Sequence, residues 1–512
     1  MLRYLEKYPS TIFWALVFLL IVSKLLTLVT FGFQYTGTDD LIYWHMAQDM
    51  SEFVFREPFF YGQAYNFPLE AYVAVPLICL GFTPQFALPI AASFISLFPF
   101  LFFASVLFRS GRKMASFWIL ALVIGMAIEY DIITSISRGF TNGIFFSSFL
   151  IYPILFPSKK SSFLILGLSI SLGFVANPNM LVFALPVAFY VFLENISNVK
   201  LYLYGVLGVI PALTFYYFAH QFYELNPDYI SHKMWILTFS WEDFILAFTK
   251  LDTLFKYLTP FIWKGHWLIL LFPFFSGFYL LKQDWRKGIA LLFGVLFIIF
   301  SFGINKIHND VGTIFYSSSR MFLALPLLVC FAIIWLSDTN KVSVRQLLII
   351  LSVSILIVVI KSFTIEEKVQ FHTEKGYYGP VTVIKVDELR EQVESIYSVI
   401  KDKEVDLVVC VSSDNYAPSE MALVTYGARF MVADFPETNL VHYERRTWNF
   451  IENKTIANKN IVVYNCLLGE MLDVSGMETE VLDLAPDMLL IKNNHKTVLE
   501  LSKVFNYPYL RD

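Results

Sequence analysis

Apolar runs of the length of a membrane span recur along the first two thirds of the chain. A transmembrane helix needs about 20 predominantly apolar residues, and on this criterion the sequence predicts about eleven spans. They lie near 11–31, 86–108, 115–130, 139–156, 162–176, 180–194, 201–219, 265–281, 288–304, 321–337 and 345–361. We therefore predict an α-helical polytopic membrane domain over residues 1–361.

After residue 361 the pattern changes to the shorter apolar alternations of a folded α/β domain. The predicted elements are strands at Val381–Val386 and Val405–Val411 on either side of a helix at Asp387–Ile400, and later strands at Ile461–Tyr464 and Met488–Ile491. No glycine-rich phosphate loop is found in this part of the sequence. We expect residues 362–512 to form an accessory domain.

Composition and charge agree with this division. The 512 residues are 57% apolar, 18% aromatic and 16% charged, with a mean hydropathy of +0.59, whereas soluble proteins are about 25% charged. This excludes an ordinary soluble enzyme, a disordered regulator and a nucleic-acid-binding protein. The net charge of −4 combines 23 basic and 18 acidic residues before position 362 with 15 basic and 24 acidic residues after it.

The basic residues indicate which side of the membrane each connection faces. Cytoplasmic loops are enriched in Lys and Arg, and 13 of the 23 basic residues of the membrane domain fall in alternate connections. We therefore predict a cytoplasmic N-terminus and, after an odd number of spans, an extracytoplasmic C-terminal domain. The outward connections are then 32–85, 129–138, 177–179, 220–264 and 305–320. A bacterial inner membrane fits this topology, and an endoplasmic-reticulum protein with a lumenal domain would obey the same rule.

The first outward connection carries two adjacent carboxylates, Asp39 and Asp40, followed by Tyr43 and Trp44. Two acids that repel each other next to an apolar wall lose hydration, so one of them is expected to have a raised pKa suited to proton transfer. The alternative is that they begin a helix, where a carboxylate caps N–H groups and is favoured by the helix dipole. The spacing supports both roles.

This segment resembles a motif of the GT-C glycosyltransferases, in particular the lipid A aminoarabinose transferases and the protein O-mannosyltransferases. Their first external loop contains Asp-Glu-x-x-Tyr-x-x-x-Ala-x-x-Met, and the pattern in this chain is Asp39-Asp40-x-x-Tyr43-x-x-x-Ala47-x-x-Met50. Three further segments are similar to the family, namely 61–72, Asn177-Pro178-Asn179 and 320–326. The resemblance covers the membrane domain and the layout with an external C-terminal domain.

The resemblance implies transfer of a sugar from a polyprenyl-phosphate carrier to an acceptor at the outer face of the membrane. In the family the first acid of the loop acts as a base or orients the acceptor, which places that role on Asp39. Asp40 stands where the family has Glu, so its shorter side chain leaves its role open. A positioned general base contributes about 10²–10⁴-fold to such a reaction. Neither the sugar nor the acceptor, whether glycan, lipid or protein, is identified by the sequence.

The departing lipid phosphate requires positive charge in a low-dielectric site. Arg320, at the outer mouth of a late apolar run, is the first candidate, because a guanidinium binds phosphate through two hydrogen bonds. Its position also matches an arginine of the family. Arg138 and Lys24 are further candidates for donor binding. The alternative for Arg320 and Lys24 is that they snorkel to the lipid headgroups.

Four more residues are candidates for contacts with the substrate, namely Tyr43, Glu129, Asp131 and His308. Glu129 and Asp131 are candidates for a second acidic site, although their spacing departs from the family's pattern. His308 stands in a polar stretch before Arg320, and an exposed turn is its competing interpretation.

A divalent metal is the one cofactor that the sequence leaves open. Asp39, Asp40, His45 and Asp49 carry side chains that bind such ions. Their spacing is not diagnostic of any metal, and some family members need none, so we assign no cofactor.

Two other classes of function fit a chain with many spans. A lipid or solute transporter would account for the spans and for Lys24 inside one of them, but the sequence shows no internal repeat and no pair of broken helices in corresponding positions. A receptor-like protein would bind a partner through its tail, but about eleven spans exceed what anchorage needs. The sequence therefore favours the glycosyltransferase.

Overall fold

The structure is a computed structural model. It describes residues 9–229, 236–259, 264–310, 312–337, 343–374, 383–412, 418–442, 455–464, 476–482 and 488–504. In these ranges the membrane domain is mainly helical, and the C-terminal part is built around a five-stranded sheet.

A helix lies over each of the eleven predicted apolar runs of the membrane domain. In chain order the helices are α1 (Pro9–Gly32), α2 (Thr38–Ser51), α3 (Leu69–Cys79), α4 (Pro84–Arg109), α5 (Lys113–Ile124), α6 (Ile128–Ile133), α7 (Asn142–Leu155), α8 (Lys160–Ala176), α9 (Pro178–Glu194), α10 (Val199–Leu225), α11 (Trp241–Thr249), α12 (Leu251–Phe255), α13 (His266–Leu281), α14 (Trp285–Ser301), α15 (Ser318–Leu336) and α16 (Val344–Thr373). Five of them, α2, α3, α6, α11 and α12, are additional to the helices of the predicted runs. Among the described residues, α1, α4, α10, α15 and α16 are long and apolar enough to cross a membrane. The total number of spans stays a prediction.

Small residues allow helix α10 to pack closely against α8. A side chain at Gly167 would collide with the carbonyl of Gly205, and one at Gly208 would collide with the carbonyl of Leu164. Such contacts between small residues are typical of helices that associate in membranes. Away from this seam α10 presents apolar side chains such as Leu203, which is 62% exposed, as expected of a lipid-facing helix.

The first strand predicted for the C-terminal domain pairs with the membrane domain instead. Strand β1 (Tyr35–Gly37), between α1 and α2, is antiparallel to strand β2 (Val383–Lys385), with Thr36 opposite Ile384. The boundary at residue 361 stays a prediction, and in the described residues this strand is a contact between the two parts of the chain. Alternation along the sequence identifies a strand, but it does not identify the strand's partner.

The other strands of the C-terminal domain form one mixed sheet. They are β3 (Leu407–Ser412), β4 (Glu437–His442), β5 (Ile461–Tyr464), β6 (Glu478–Leu482) and β7 (Met488–Lys492), in the order β4-β3-β5-β7-β6. Strand β3 is parallel to β4 and β5, whereas β7 is antiparallel to β5 and β6. The accompanying helices are α17 (Val386–Ile400), α18 (Pro418–Met431) and α19 (Val498–Val504).

Alternating residues of the central strands divide between two apolar clusters. Val408 and Val462 face the cluster that includes α17 and α18, and Leu407 and Ile461 face the cluster that includes α19. This is the period of two that a sheet covered on both faces requires. Residues of α2 belong to the first of these clusters, so the core of the C-terminal domain is continuous with the first outward connection.

Candidate active site

Asp39 and Asp40 occupy the first turn of helix α2. The chain reaches this helix in an extended conformation at Gly37 (φ −135°, ψ 176°), and no side chain caps the helix there. The two acids therefore gain from the helix dipole without serving as its cap. Asp39 is half-buried and Asp40 is buried, so both face other parts of the protein.

Asp39 contacts the connection that precedes helix α15. The hydroxyl of Tyr316 donates a hydrogen bond of 2.8 Å to Asp39 Oδ2. The guanidinium carbon of Arg320 lies 4.4 Å from the centroid of the Tyr316 ring, within the range of a cation–π interaction. Burial and the negative charge of Asp39 raise the pKa of Tyr316, so its hydroxyl stays protonated. The structure thus brings the predicted base and the predicted phosphate ligand together through a tyrosine that sequence reasoning missed.

Asp40 contacts the connection between helices α6 and α7. Its Oδ1 accepts the Ser137 N–H at 3.1 Å, and its Oδ2 lies 3.5 Å from Arg138 Nη2. The Arg138 guanidinium carbon also lies 5.3 Å and 5.5 Å from the ring centroids of Phe315 and Tyr316. Burial raises the pKa of Asp40 to about 6, against the opposing effects of Arg138 and the Ser137 hydrogen bond. The raised pKa expected of one acid in the pair is therefore found on Asp40.

Glu70 is an acid of this region to which sequence reasoning gave no role. It is fully buried, and its two carboxyl oxygens lie 3.0 Å and 3.2 Å from the Gly139 N–H that they accept. Burial raises the pKa of Glu70 to about 8, so the carboxyl is mostly protonated at neutral pH. Tyr43 is also fully buried, and its ring centroid lies 5.0 Å from that of Phe60. Glu70 lies within segment 61–72, whose similarity to the family was the one sequence feature that could have pointed to this acid.

The Asn177-Pro178-Asn179 break holds the loop that carries Arg138. Asn177 Nδ2 donates to the carbonyl of Gly139 at 2.9 Å. Asn179 Nδ2 donates to the carbonyl of Phe140 at 2.6 Å and lies 3.4 Å from the carbonyl of Arg320. The two amides therefore connect the loop of one arginine to the segment of the other.

Buried donors of the two arginines lack acceptors within the described part of the chain. Arg320 Nη1 and both Nε and Nη1 of Arg138 have no hydrogen-bond partner there. No described carboxylate lies within 4.0 Å of the Arg320 guanidinium. Asp310, whose charge acts on Arg320, uses its oxygens to accept the N–H groups of Gly312 at 2.7 Å and Ser318 at 3.2 Å. Because a buried charge without a partner is costly, these donors suit an anionic ligand.

Lys24 and Asp131, predicted for donor and substrate binding, form a buried ion pair with Lys361. Lys24 Nζ lies 3.3 Å from Asp131 Oδ1 and 2.7 Å from Thr134 Oγ1, and Lys361 Nζ lies 2.8 Å from Asp131 Oδ2. Lys24 is 4% exposed, so it does not snorkel to the headgroups. We name Lys24, Asp131 and Lys361 the membrane charge cluster.

Glu129 and His308 also have partners elsewhere in the membrane domain. Glu129 Oε1 lies 2.8 Å from Lys368 Nζ and 3.7 Å from His372 Nε2 at the outer end of α16. Although burial opposes it, these contacts lower the pKa of Glu129 to about 2. His308 Nε2 lies 2.7 Å from the carbonyl of Phe302. In the described ranges neither residue forms a hydrogen bond or ion pair with Asp39, so a substrate role for them stays a prediction.

The candidate metal ligands beyond the acid pair are engaged in other contacts. His45 Nε2 lies 2.8 Å from the carbonyl of Tyr426. Asp49 Oδ2 lies 2.8 Å from Arg56 Nε and accepts the Tyr61 hydroxyl at 3.0 Å. Among the residues that the structure describes, no group of three or more His, Cys, Asp or Glu side chains is placed to hold a metal ion.

Solved structures resemble this fold, although no protein-family model matches the chain and no curated protein matches its sequence. The chain is similar to ArnT from Cupriavidus metallidurans in the apo state, with a TM-score of 0.56 and 10% identity over 93% of this chain and 97% of that chain. It is similar to the same protein bound to undecaprenyl phosphate, with a TM-score of 0.52 at the same identity and coverage. The chain has the ArnT fold.

The ArnT fold confirms the predicted fold class, an α-helical polytopic membrane protein. Together with the apolar helices it shows that the chain is an integral membrane protein. A looser similarity is to the arabinofuranosyltransferase AftD from mycobacteria, with a TM-score of 0.34 and 14% identity over 88% of this chain and 35% of that chain. At such low identity the comparison concerns the fold, and the roles of individual residues are argued from the contacts above.

Proposed function

We propose that the protein is a glycosyltransferase that moves a sugar from a polyprenyl-phosphate carrier to an acceptor at the outer face of the membrane. The observation that carries the proposal is the pair of buried guanidinium groups of Arg138 and Arg320, with donors that lack acceptors among the described residues, beside the carboxylate of Asp39. The reaction needs both an anion-binding group and a proton acceptor. ArnT, whose fold this chain shares, is known in a complex with undecaprenyl phosphate.

The lipid phosphate would be held by Arg320 and Arg138. Both guanidinium groups lie against the Tyr316 ring, with the carbon of Arg320 at 4.4 Å and that of Arg138 at 5.5 Å from its centroid. One aromatic side chain therefore contacts both arginines. Lys306 also lies near Arg320, since burial and the charge of Arg320 together lower the pKa of Lys306. Positive groups that are already in place stabilise the negative charge that develops on a leaving phosphate.

Asp39 would act as the general base. The acceptor hydroxyl attacks the anomeric carbon, the bond from that carbon to the phosphate oxygen breaks, and the hydroxyl proton passes to Asp39. Polyprenyl phosphate leaves with the electron pair of the broken bond, on the side of the arginines. Tyr316, which donates to Asp39 Oδ2, orients the carboxylate and leaves Oδ1 for the acceptor. Asp40 positions Arg138 through the ion pair described above.

The same proposal includes the topology predicted from the basic residues. The N-terminus would be cytoplasmic and the C-terminal domain extracytoplasmic, in a bacterial inner membrane. The sugar is a hexosyl or pentosyl unit, and the acceptor is a glycan, a lipid or a protein. A lipid or solute transporter is not favoured, because the fold is that of ArnT and the charged groups surround a reactive acid instead of lining a path.

The test is transfer of a radiolabelled sugar from undecaprenyl phosphate by membranes that contain the protein. Asp39→Asn should lower turnover by about 10²–10⁴-fold, because it removes the proton acceptor. Glu242→Gln is the matched control, since this acid is exposed on helix α11 and should leave turnover unchanged. Equal turnover by the Asp39 variant would overturn the assignment of the base, and counter-transport of the lipid without sugar transfer would overturn the proposed reaction.

A further inference from the structure

Strand β1, which leads directly into the active-site helix, is completed by the C-terminal domain. In the described structure β1 belongs to a two-stranded sheet with β2, and Val386 N–H donates to the carbonyl of Gln34 at 2.8 Å. In an antiparallel ladder, directly opposed residues alternate between pairs that are hydrogen-bonded and pairs that are not. Because Gln34 and Val386 are a hydrogen-bonded pair, the next such pair is Thr36 with Ile384. A two-stranded ribbon is marginally stable, and β1 therefore depends on β2 for its conformation.

Residues of β1 also border the acid pair. A small cleft beside Asp40 is lined by Gly32, Tyr35, Thr36, Asp40, Trp44, Pro89, Ser135, Ile136 and Ser137. Gly37, the last residue of β1, lies two positions before Asp39. Any change in the path of β1 would therefore move the first turn of α2.

A second contact joins the C-terminal domain to the middle of helix α2. His45 Nε2 lies 2.8 Å from the carbonyl of Tyr426 on α18, which requires the proton on Nε2, and Nδ1 lies 3.5 Å from Arg429 Nη1. The Phe430 ring packs edge-on against Trp44 and His45, with centroid distances of 5.5 Å and 4.9 Å. Burial, with the positive charge of Arg429, lowers the pKa of His45 to about 3, so the imidazole is neutral in this contact.

We propose that the C-terminal domain is a positioning element of the active site, in which β2 and α18 hold helix α2 so that Asp39 faces Tyr316 and Arg320. The two contacts lie on either side of Asp39, at β1 before it and at Trp44 and His45 after it. Because an α-helix is rigid over this distance, fixing both sides fixes the rotation of its first turn. The proposal rests on the proposed function of Asp39.

The test compares two substitutions at one position in the full-length protein. Ile384→Pro removes the N–H that the pairing with Thr36 uses, whereas Ile384→Val keeps both the N–H and the β-branched side chain. We expect Ile384→Pro to increase hydrogen exchange of peptides that cover 35–51 and to lower kcat by about tenfold or more, a barrier change of ~1.4 kcal/mol. The KM for the lipid-linked donor should change by less than about threefold, because the arginines are not displaced.

A second pair of variants tests the proposal even if the Ile384→Pro variant misfolds. Phe430→Ala removes the ring that packs on Trp44 and His45, and Tyr397→Ala is the control, since its ring packs on Phe435 within the domain. Of these two variants, only Phe430→Ala should increase hydrogen exchange in α2 and lower kcat. If both test variants match their controls in exchange, or if exchange rises while kcat is unchanged, the positioning role is wrong. If the parent protein transfers no sugar, the proposed function fails, and the exchange data still decide whether the domain holds α2.

Discussion

Two groups of buried charges in this protein differ in how completely the described residues pair them. In the membrane charge cluster, Asp131 lies within 3.3 Å of Lys24 and 2.8 Å of Lys361. In the group around Asp39, the one ion pair of Arg138 with a described residue is the 3.5 Å contact to Asp40, and Arg320 has no described carboxylate within 4.0 Å. Both groups are buried, so burial alone does not separate them.

The difference separates a structural role from a binding role. An acid that is shared by two lysines on different helices is satisfied within the protein, and it stabilises the contact between α1, α6 and α16. Arginine donors that have no acceptor among the described residues would, under the proposed function, be satisfied by the lipid phosphate. From the sequence, Lys24, Arg138 and Arg320 were all predicted to bind the donor phosphate. In the structure Lys24 is paired with Asp131, whereas Arg138 and Arg320 keep donors without an acceptor among the described residues.

The largest effect is expected at the base of the outer site. Asp39→Asn should reduce kcat by about 10²–10⁴-fold, while binding of undecaprenyl phosphate and thermal stability stay close to those of the parent. The measurement is steady-state transfer of labelled sugar beside a lipid-binding assay. Loss of binding without loss of turnover would place Asp39 with the ligand-binding group instead.

The next effect tests the membrane charge cluster as a structural group. Asp131→Asn leaves two buried lysines without a counter-charge, which should lower the free energy of unfolding by about 3–5 kcal/mol. Glu194→Gln is the control, because its partner Arg286 is 42% exposed and such pairs contribute about 0–1 kcal/mol. Thermal unfolding in detergent measures both. A stable Asp131 variant with impaired donor binding would contradict the comparison.

In contrast to Asp131, Arg320 should affect ligand binding more than the free energy of unfolding. Arg320→Ala removes charge-assisted hydrogen bonds to phosphate that are worth about 1.5–3 kcal/mol, so affinity for undecaprenyl phosphate should fall about ten- to a hundredfold. Arg320→Lys should recover part of this loss, because it keeps the charge but not the planar donor pair. Arg286→Ala, at an exposed pair, should leave affinity unchanged. If Arg320→Ala unfolds the protein without affecting the affinity of the folded fraction, its role is structural.

The pH dependence of transfer should report the state of Asp40. Burial places the pKa of Asp40 at about 6, so the carboxylate that pairs with Arg138 is lost as the pH falls below that value. We expect kcat/KM to fall about tenfold for each pH unit below about 6. Asp40→Asn should be slower than the parent and should lack this dependence. If kcat/KM of the Asp40→Asn variant falls in the same way below about pH 6, the pH dependence belongs to another titratable group.

The smallest effect is expected at Glu70. Its pKa in the folded protein is raised to about 8 from 4.5, so the folded state retains a proton that the unfolded chain loses. The contribution of Glu70 to stability is therefore largest at low pH and is lost as the pH rises through about 8.

Glu70→Gln copies the protonated carboxyl. Its advantage in melting temperature over the parent should therefore be small at about pH 4.5 and larger at about pH 9. Glu70→Ala also removes the acceptor of the Gly139 N–H and should be less stable at both values. A difference between the Gln variant and the parent that does not depend on pH would show that Glu70 is already ionised at the lower value.

The sequence by itself determined the membrane domain, the approximate position of most apolar helices, although not of α3 (Leu69–Cys79), and the location of the acid pair. These features are local, because hydropathy is read within about 20 residues and the motif from Asp39 to Met50 lies on one helix. Strands were also predicted from the local sequence at Ile461–Tyr464 and Met488–Ile491, and the structure has them at Ile461–Tyr464 and Met488–Lys492. The fold comparison with ArnT confirms the resulting fold class.

Tertiary structure decided which of these residues meet. Tyr316 and Asp39 are 277 positions apart, and nothing in their local sequences indicates that a phenol will donate to that carboxylate. The same holds for β1 with β2, for Lys24 with Asp131 and Lys361, and for Glu70 with Gly139. Partner choice among buried polar groups depends on how distant helices pack, because each group takes whichever partner the packed helices bring within hydrogen-bonding distance.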